Sequence, residues 1–366
     1  MQTIHKARET MTAKQRVLNT FAHEKTDRVT IGYEANEGVH QRLAAALGIP
    51  VEDAEGVRRA LGVDYRGVGA RYAGPQLFKP LPDRRVNELE GCYMRRVEHA
   101  SGYYWDFCDF PLADADAEAF ASFPVPDPAR FDYDGVAEQL RRHAEYAVYI
   151  GGAGVPDVIN SNGRIMGMEN ILIGLVSEDP AVLGFVRRRA ASALAVMERT
   201  LDRYKGAIDF MWLGEDLGTQ HAPMIGLDLF RRVLRPIHQQ FVDLAKAYNI
   251  SVMVHSCGSS SWAFEDFIEM GVRGVDTLQP EATDMNPRYL KDRFGTRLCF
   301  RGCISTAGPL AFGTEREVVD TVRDTLAIMM PGYGYHFAPT HAIQDNTPTE
   351  NVLAMYNAAH QYGVYR

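Results

Sequence analysis

The longest run of lysine or arginine is the three residues Arg187 to Arg189, and the 39 Lys and Arg are outnumbered by 47 Asp and Glu for a formal net charge of -8. Binding to a nucleic-acid backbone draws its affinity from clustered cations, so no nucleic-acid partner is expected. Apolar runs are all interrupted by charge well short of the ~18 residues that a membrane span needs, and no membrane partner is expected either. Cysteine is scarce: Cys92, Cys108, Cys257, Cys299 and Cys303 are five in number and irregularly spaced, with no apolar signal segment before them. An odd, scattered set argues against a disulfide framework and for a reducing, cytoplasmic setting. Neither G-x-G-x-x-G nor G-x-x-x-x-G-K-[ST] occurs, and the glycines of GGAGVP at 151–156 follow an apolar run without that spacing. A dinucleotide or P-loop site is therefore not indicated. What remains is a globular enzyme of 366 residues whose 46% hydrophobic content is ample for a core.

The patterning is that of alternating strands and helices. Apolar positions at helical spacing over 10–22, with Thr10 or Thr12 as N-cap, predict an amphipathic entry helix. A first strand at 29–34 and two helical patterns follow. Residues 64–130 break the rhythm: 86–110 reads as short antiparallel strands around polar turns, and the Pro-rich 123–134 as linker. From 133 onward buried strands alternate with helices, including AIDFMWLGED, ISVMVHSC, GVDTLQP, RLCFRGC and YHFAPTH. About eight βα units predict a single (β/α)8 TIM-type barrel over 1–366, with an N-terminal helical extension and a small antiparallel excursion. Tyr103, Tyr104, Trp105 and Phe107 crowd into that excursion; exposed aromatics favour interfaces, and a homodimer through them is one expectation, packing against the parent barrel the other.

Catalytic groups of such barrels stand at the carboxyl ends of the strands. Those ends bring up Tyr33 and Glu34, Glu215 and Asp216, His255 and Cys257, Gln279 and Glu281, Cys303 and Ser305, His341 and Asp345. In SVMVHSCGSS, residues i and i+2 share one side of a strand, so His255 and Cys257 present an imidazole and a thiol together. Only one of the adjacent Glu215 and Asp216 can point into the mouth, and Asp216 is the preferred one. Gln220 and His221 follow in the loop. An imidazole, a thiolate, a carboxylate and a second imidazole or thiol suit Zn²⁺. His238 lies within an amphipathic helical pattern and reads as structural.

Four segments then carry a family likeness: KQRVLNTFAHEKTDRV, GEDLGTQHAPMIGLDLFRRVLRP, VHSCGS and GYGYHFAPTHAIQDNTPTENVLAMYNAAHQYG. In collinear order over nearly the whole chain they resemble the uroporphyrinogen decarboxylase superfamily, which implies a (β/α)8 barrel. The superfamily's porphyrin decarboxylases are cofactor-free and use an arginine-rich N-terminal segment; VTIGYEANEGVHQRL lacks that pattern. Its other branch holds zinc-dependent, corrinoid-linked methyltransferases and O-demethylases with a His-x-Cys pair, a distant Cys and an acidic ligand. His255 and Cys257 match the pair, Asp216 matches the acidic position, and His341 falls where the distant cysteine would be, as in the decarboxylases. The resemblance thus implies zinc held by His255, Cys257, His341 and Asp216, with Glu215 and Cys303 in reserve. Asp216 and His341 would be catalytic, and Tyr33, Glu34, Gln220 and His221 would bind substrate. The methyl group would move between a small methylated molecule and a corrinoid, carried on a partner protein or serving as acceptor. The alternative is a metal-independent decarboxylase of a polycarboxylate.

Cys257→Ser is expected to lose bound zinc together with activity while Cys299→Ser loses neither, as read by elemental analysis of the purified proteins. Full zinc content in Cys257→Ser would remove the thiol from the ligand set.

Overall fold

Apolar β-branched runs become the buried strands of one sheet. In this computed structural model, which describes residues 3–100 and 102–366, eight strands form a curled parallel sheet. They are β1 (Thr30–Ile31), β2 (Tyr65–Gly67), β3 (Ala147–Pro156), β4 (Phe210–Gly214), β5 (Ser251–His255), β6 (Gly274–Leu278), β7 (Cys299–Ile304) and β8 (Tyr335–Pro339). Each pairs with the next in sequence from β2 to β8, and β8 returns to β1. Strands covered on both faces read as continuous apolar runs, and β4, β6, β7 and β8 are buried along their whole length. This is the expected (β/α)8 barrel.

Helix α1 (Ala13–Phe21) begins at Thr12, whose hydroxyl accepts from the Gln15 backbone in a reciprocal capping box. Its Val17 and Phe21 pack with Ala147, Phe210 and Cys299, the first residues of three strands, and so plug the amino end of the barrel.

Two elements differ from the sequence reading. The second barrel strand, Tyr65–Gly67, lies inside the segment read as an excursion. Three residues are too few to show a period. Helix α2 (Val158–Met166), over VINSNGRIM, was also not anticipated. Its Asn, Ser and Gly are poor helix formers, but Asp157 caps it and Glu215 accepts the Val158 and Ile159 N–H groups at 2.7 and 2.9 Å. Tertiary partners thus supply what local propensity withholds.

The antiparallel excursion is present, with Tyr93–His99 paired to Gly102–Cys108 and flanked by Arg85–Val86. Its aromatic rings divide. Phe107 packs on the core under the Arg164 guanidinium, Tyr103 donates to Glu37 at 3.0 Å, and Tyr104 is 49% exposed. Among the described residues no helix is long and apolar enough to cross a membrane.

β1 and β2 share no ladder, and Asp64 closes the ring between them. Its backbone N–H donates to the Ile31 carbonyl at 3.0 Å, and its carboxylate accepts the Ile31 N–H at 2.7 Å. The same carboxylate takes Arg28 at 2.7 Å and Arg16 of α1 at 2.5 Å. All three charged side chains are buried. Breaking one partner of a buried, hydrogen-bonded ion cluster leaves charge without compensation. Asp64→Asn is therefore expected to cost about 3–5 kcal/mol in urea unfolding. A loss below about 1 kcal/mol, the range of exposed pairs, would show that the seam does not depend on this carboxylate.

Candidate metal centre

β4 and β5 lie in register, with His255 beside Gly214, so that the residues following β4 face the end of β5. Asp216, His255 and Cys257 meet there: one donor atom from each lies within 4.8 Å of the others. Cys257 Sγ is 3.5 Å from His255 Nε2, and Asp216 Oδ1 is 3.6 Å from the same nitrogen. Asp216 is itself fixed, its Oδ1 accepting the Cys257 N–H and its Oδ2 the Asn160 amide, both at 2.7 Å. Gly258 makes this turn possible. It has φ +69, and a Cβ there would sit 2.2 Å from the Gly218 carbonyl, so no larger residue fits.

His255 is held from behind. Along β6 and β7 the register slips, Val275 pairing with Phe300 but Leu278 with Gly302, so Asp276 and Thr277 together oppose Arg301. Such a bulge lets two consecutive side chains reach one side of the sheet. Asp276 Oδ2 lies 2.9 Å and Thr277 Oγ1 2.7 Å from His255 Nδ1. Thr277 adopts φ +66, a left-handed conformation that is uncommon for a β-branched residue. With one ring proton on Nδ1 directed at Asp276, Nε2 is the nitrogen that faces Cys257 and Asp216. Asp276 is bonded in turn by buried Arg301, which also donates to Tyr65 Oη at 2.6 Å and Glu34 at 3.2 Å. Arg301 also lies 4.7 Å over the Trp212 ring.

Burial works against a charged His255, but hydrogen bonds to Asp276 and Cys257 more than offset it and raise its pKa well above the ordinary value. Burial also pushes the Cys257 thiol up, with His255 opposing. Asp276 is lowered to about 2: burial raises it, and Arg301 and His255 outweigh that. In the metal-free protein both donors at the end of β5 hold protons.

The remaining candidates are distributed as follows. Glu215 is fully buried, bonded to the amino end of α2 and to His238 Nε2 at 2.8 Å, and so points away from the cluster. As a reserve ligand it is corrected: its oxygens are committed to structural donors. His238 is the partner of that carboxylate. Cys303 is 2% exposed, has φ +68 and is not one of the converging donors; desolvation pushes its thiol far up. His341 is exposed on the rim with Nδ1 3.5 Å from Gln344, and it too lies outside the set. The structure therefore brings together three of the four expected ligands.

Tyr33 and Glu34 line a cavity of about 270 Å³ with Tyr149, Trp212 and Arg301. Gln220 and His221 are exposed in the loop after β4, Gln220 reaching Gln279 at 3.5 Å. Asp276, Thr277, Asn160 and Arg301 were missed. The available signal was a charge inside an otherwise apolar strand, as in GVDTL and CFRGC, since a buried charge needs a built partner.

These features define a (β/α)8 barrel with an O, N and S donor cluster at the carboxyl ends of adjacent strands. Residues 213–362, which carry all three donors, match the family described as Uroporphyrinogen decarboxylase (URO-D). Among solved structures, a methyltransferase from Methanosarcina mazei is similar with TM-score 0.65 at 16% identity, over 96% of this chain and 99% of that one. Native xylanase 10B from Thermotoga maritima, at TM-score 0.34 and 9% identity over 58% of this chain and 69% of that one, is too distant to carry an argument. No curated protein matches the sequence significantly.

Because His255 and Cys257 both start protonated, zinc uptake must displace protons, and affinity is expected to rise with pH. Calorimetry in buffers of different ionisation enthalpy should register release of about two protons per ion. Asp276→Asn, which loses the charge behind His255, is expected to weaken zinc binding roughly 10- to 100-fold. Unchanged affinity in that variant would show that Asp276 does not orient the imidazole.

Proposed function

We propose that this protein is a zinc-dependent methyltransferase or demethylase, moving a methyl group between a small methylated substrate and a corrinoid or other acceptor. The single observation carrying this reading is the convergence of Asp216, His255 and Cys257. A mixed carboxylate, imidazole and thiolate set suits zinc. The support behind His255 has the carboxylate-histidine arrangement common behind metal-ligating histidines. The superfamily match and the fold shared with a methyltransferase point the same way. We read the chain as one unit over 1–366.

The residues divide the work. Asp216, His255 Nε2 and Cys257 Sγ would hold the ion, which when bound acts as a Lewis acid that keeps a nucleophile deprotonated at neutral pH. Three protein donors leave a position for an exogenous group. Asp276 keeps the Nδ1 proton in place, and Arg301 keeps Asp276 ionised. Tyr33 and Glu34 border the cavity that would receive the small substrate, and its Tyr149 and Trp212 walls shield the substrate from water. His341, exposed at the rim, would move protons at its imidazole or approach the ion through a shift of its loop. Gln220 and His221 would meet the substrate or a corrinoid-protein partner from the loop, and Tyr104 is the aromatic that a homodimer contact would use.

The family's decarboxylase chemistry is the second reading, favoured by the URO-D match itself. Zinc separates the two. Chelation followed by dialysis is expected to abolish methyl transfer from methylated small molecules to chemically reduced free cob(I)alamin, followed by the cobalamin absorption spectrum, and added zinc to restore it. Protein purified without zinc, indifferent to chelation and active in releasing CO₂ from a polycarboxylate, would establish the decarboxylase instead.

A further inference from the structure

A second cavity, of about 300 Å³, lies between β3 and the long helix α3 (Pro180–Arg203), separate from the donor cluster. Val125, Ile150, Ala193 and Met197 contribute apolar walls. Its hydroxyls are already used: Ser161, Ser192 and Thr200 donate to backbone carbonyls. Two charges remain. Arg189 donates through Nη1 to the Ser161 carbonyl at 3.0 Å and Asn162 Oδ1 at 2.6 Å, but among the described residues nothing accepts from its Nε or Nη2 and no carboxylate pairs with it. Phe185 lies 5.6 Å from its guanidinium. Glu90, on the same cavity, takes only the Cys92 thiol at 3.7 Å and pairs with no cation among the described residues. Burial pulls the Arg189 pKa down, and Glu90 is the leading charge against that.

Arg189 and Glu90 are both half-buried on one largely apolar cavity and neither is in an ion pair among the described residues, which leaves opposite charges free to hold one bridging ligand. An anion alone would face Glu90, a cation alone would face Arg189, and an uncharged apolar molecule would leave both unpaired. We propose that this cavity binds a zwitterion of the apolar α-amino acid class. The ligand carboxylate meets the Nε and Nη2 edge of Arg189, its ammonium meets Glu90, and its side chain lies on the Val125, Ile150 and Met197 wall. A cavity of this volume is at the small end of the range for ligand sites. Gly154 offers a clean block: its φ is not left-handed, and a Cβ added there meets nothing within 4 Å.

The test is calorimetry on the full-length protein with L-leucine, using isocaproate and isoamylamine as probes that carry one charge each. Saturable binding of L-leucine is expected, with each single-charge probe at least tenfold weaker. Arg189→Met and Gly154→Leu should each weaken L-leucine roughly 10- to 100-fold, the range for a lost charged hydrogen bond. Glu90→Gln should weaken L-leucine by a similar factor while leaving isocaproate no weaker. Absence of saturation at about 10 mM, isocaproate binding as well as L-leucine, or unchanged binding in Gly154→Leu would each overturn the proposal. If Arg189→Met does not fold by circular dichroism, Glu90→Gln and Gly154→Leu decide alone.

Discussion

An eight-stranded barrel must close, and here the closing strands are its shortest. β1 has two residues and β2 three, and no ladder joins them. Asp64 does the joining, through one backbone bond and one side-chain bond to Ile31, while its charge anchors Arg16 and Arg28. A buried carboxylate with two guanidiniums would be costly as an isolated pair. Here every lone pair has a donor, and the same group fixes the plugging helix against the seam.

The donor cluster inherits its geometry from that closure, since all its members hang from strand ends whose spacing the ring sets. His255 reaches the mouth because β5 ends there, Asp216 because β4 ends beside it, and Asp276 with Thr277 because β6 carries one residue more than β7 opposite. The line from Glu34 through Arg301 and Asp276 to His255 ties the cavity wall to the imidazole. Glu215 shows the reverse economy. One residue from Asp216, it faces the other way and holds α2 in place, so two adjacent carboxylates serve the site and the frame respectively.

Much of this was legible in the chain. The alternation of apolar strands with amphipathic helices from residue 133 onward predicts the barrel, because period and length are local properties. The i and i+2 relation places His255 beside Cys257, and the alternation of a strand separates Asp216 from Glu215. An N-cap at Thr10 or Thr12 was readable for the same reason, and the structure places it at Thr12.

What the sequence determined by itself was therefore the strand and helix periods, the pairing of imidazole with thiol, and that only one of Glu215 and Asp216 can turn inward, all consequences of geometry within a few residues. Tertiary structure alone decided the rest. The three-residue β2 and the weakly helical α2 exist because distant groups satisfy them. Asp276, Thr277 and Arg301 join the site because a bulge in one strand meets its neighbour. His341 lies outside the set because the loop after β8 leaves its side chain on the rim. Contacts between residues far apart in the chain leave no local period, so only the folded ring could show which strand ends converge.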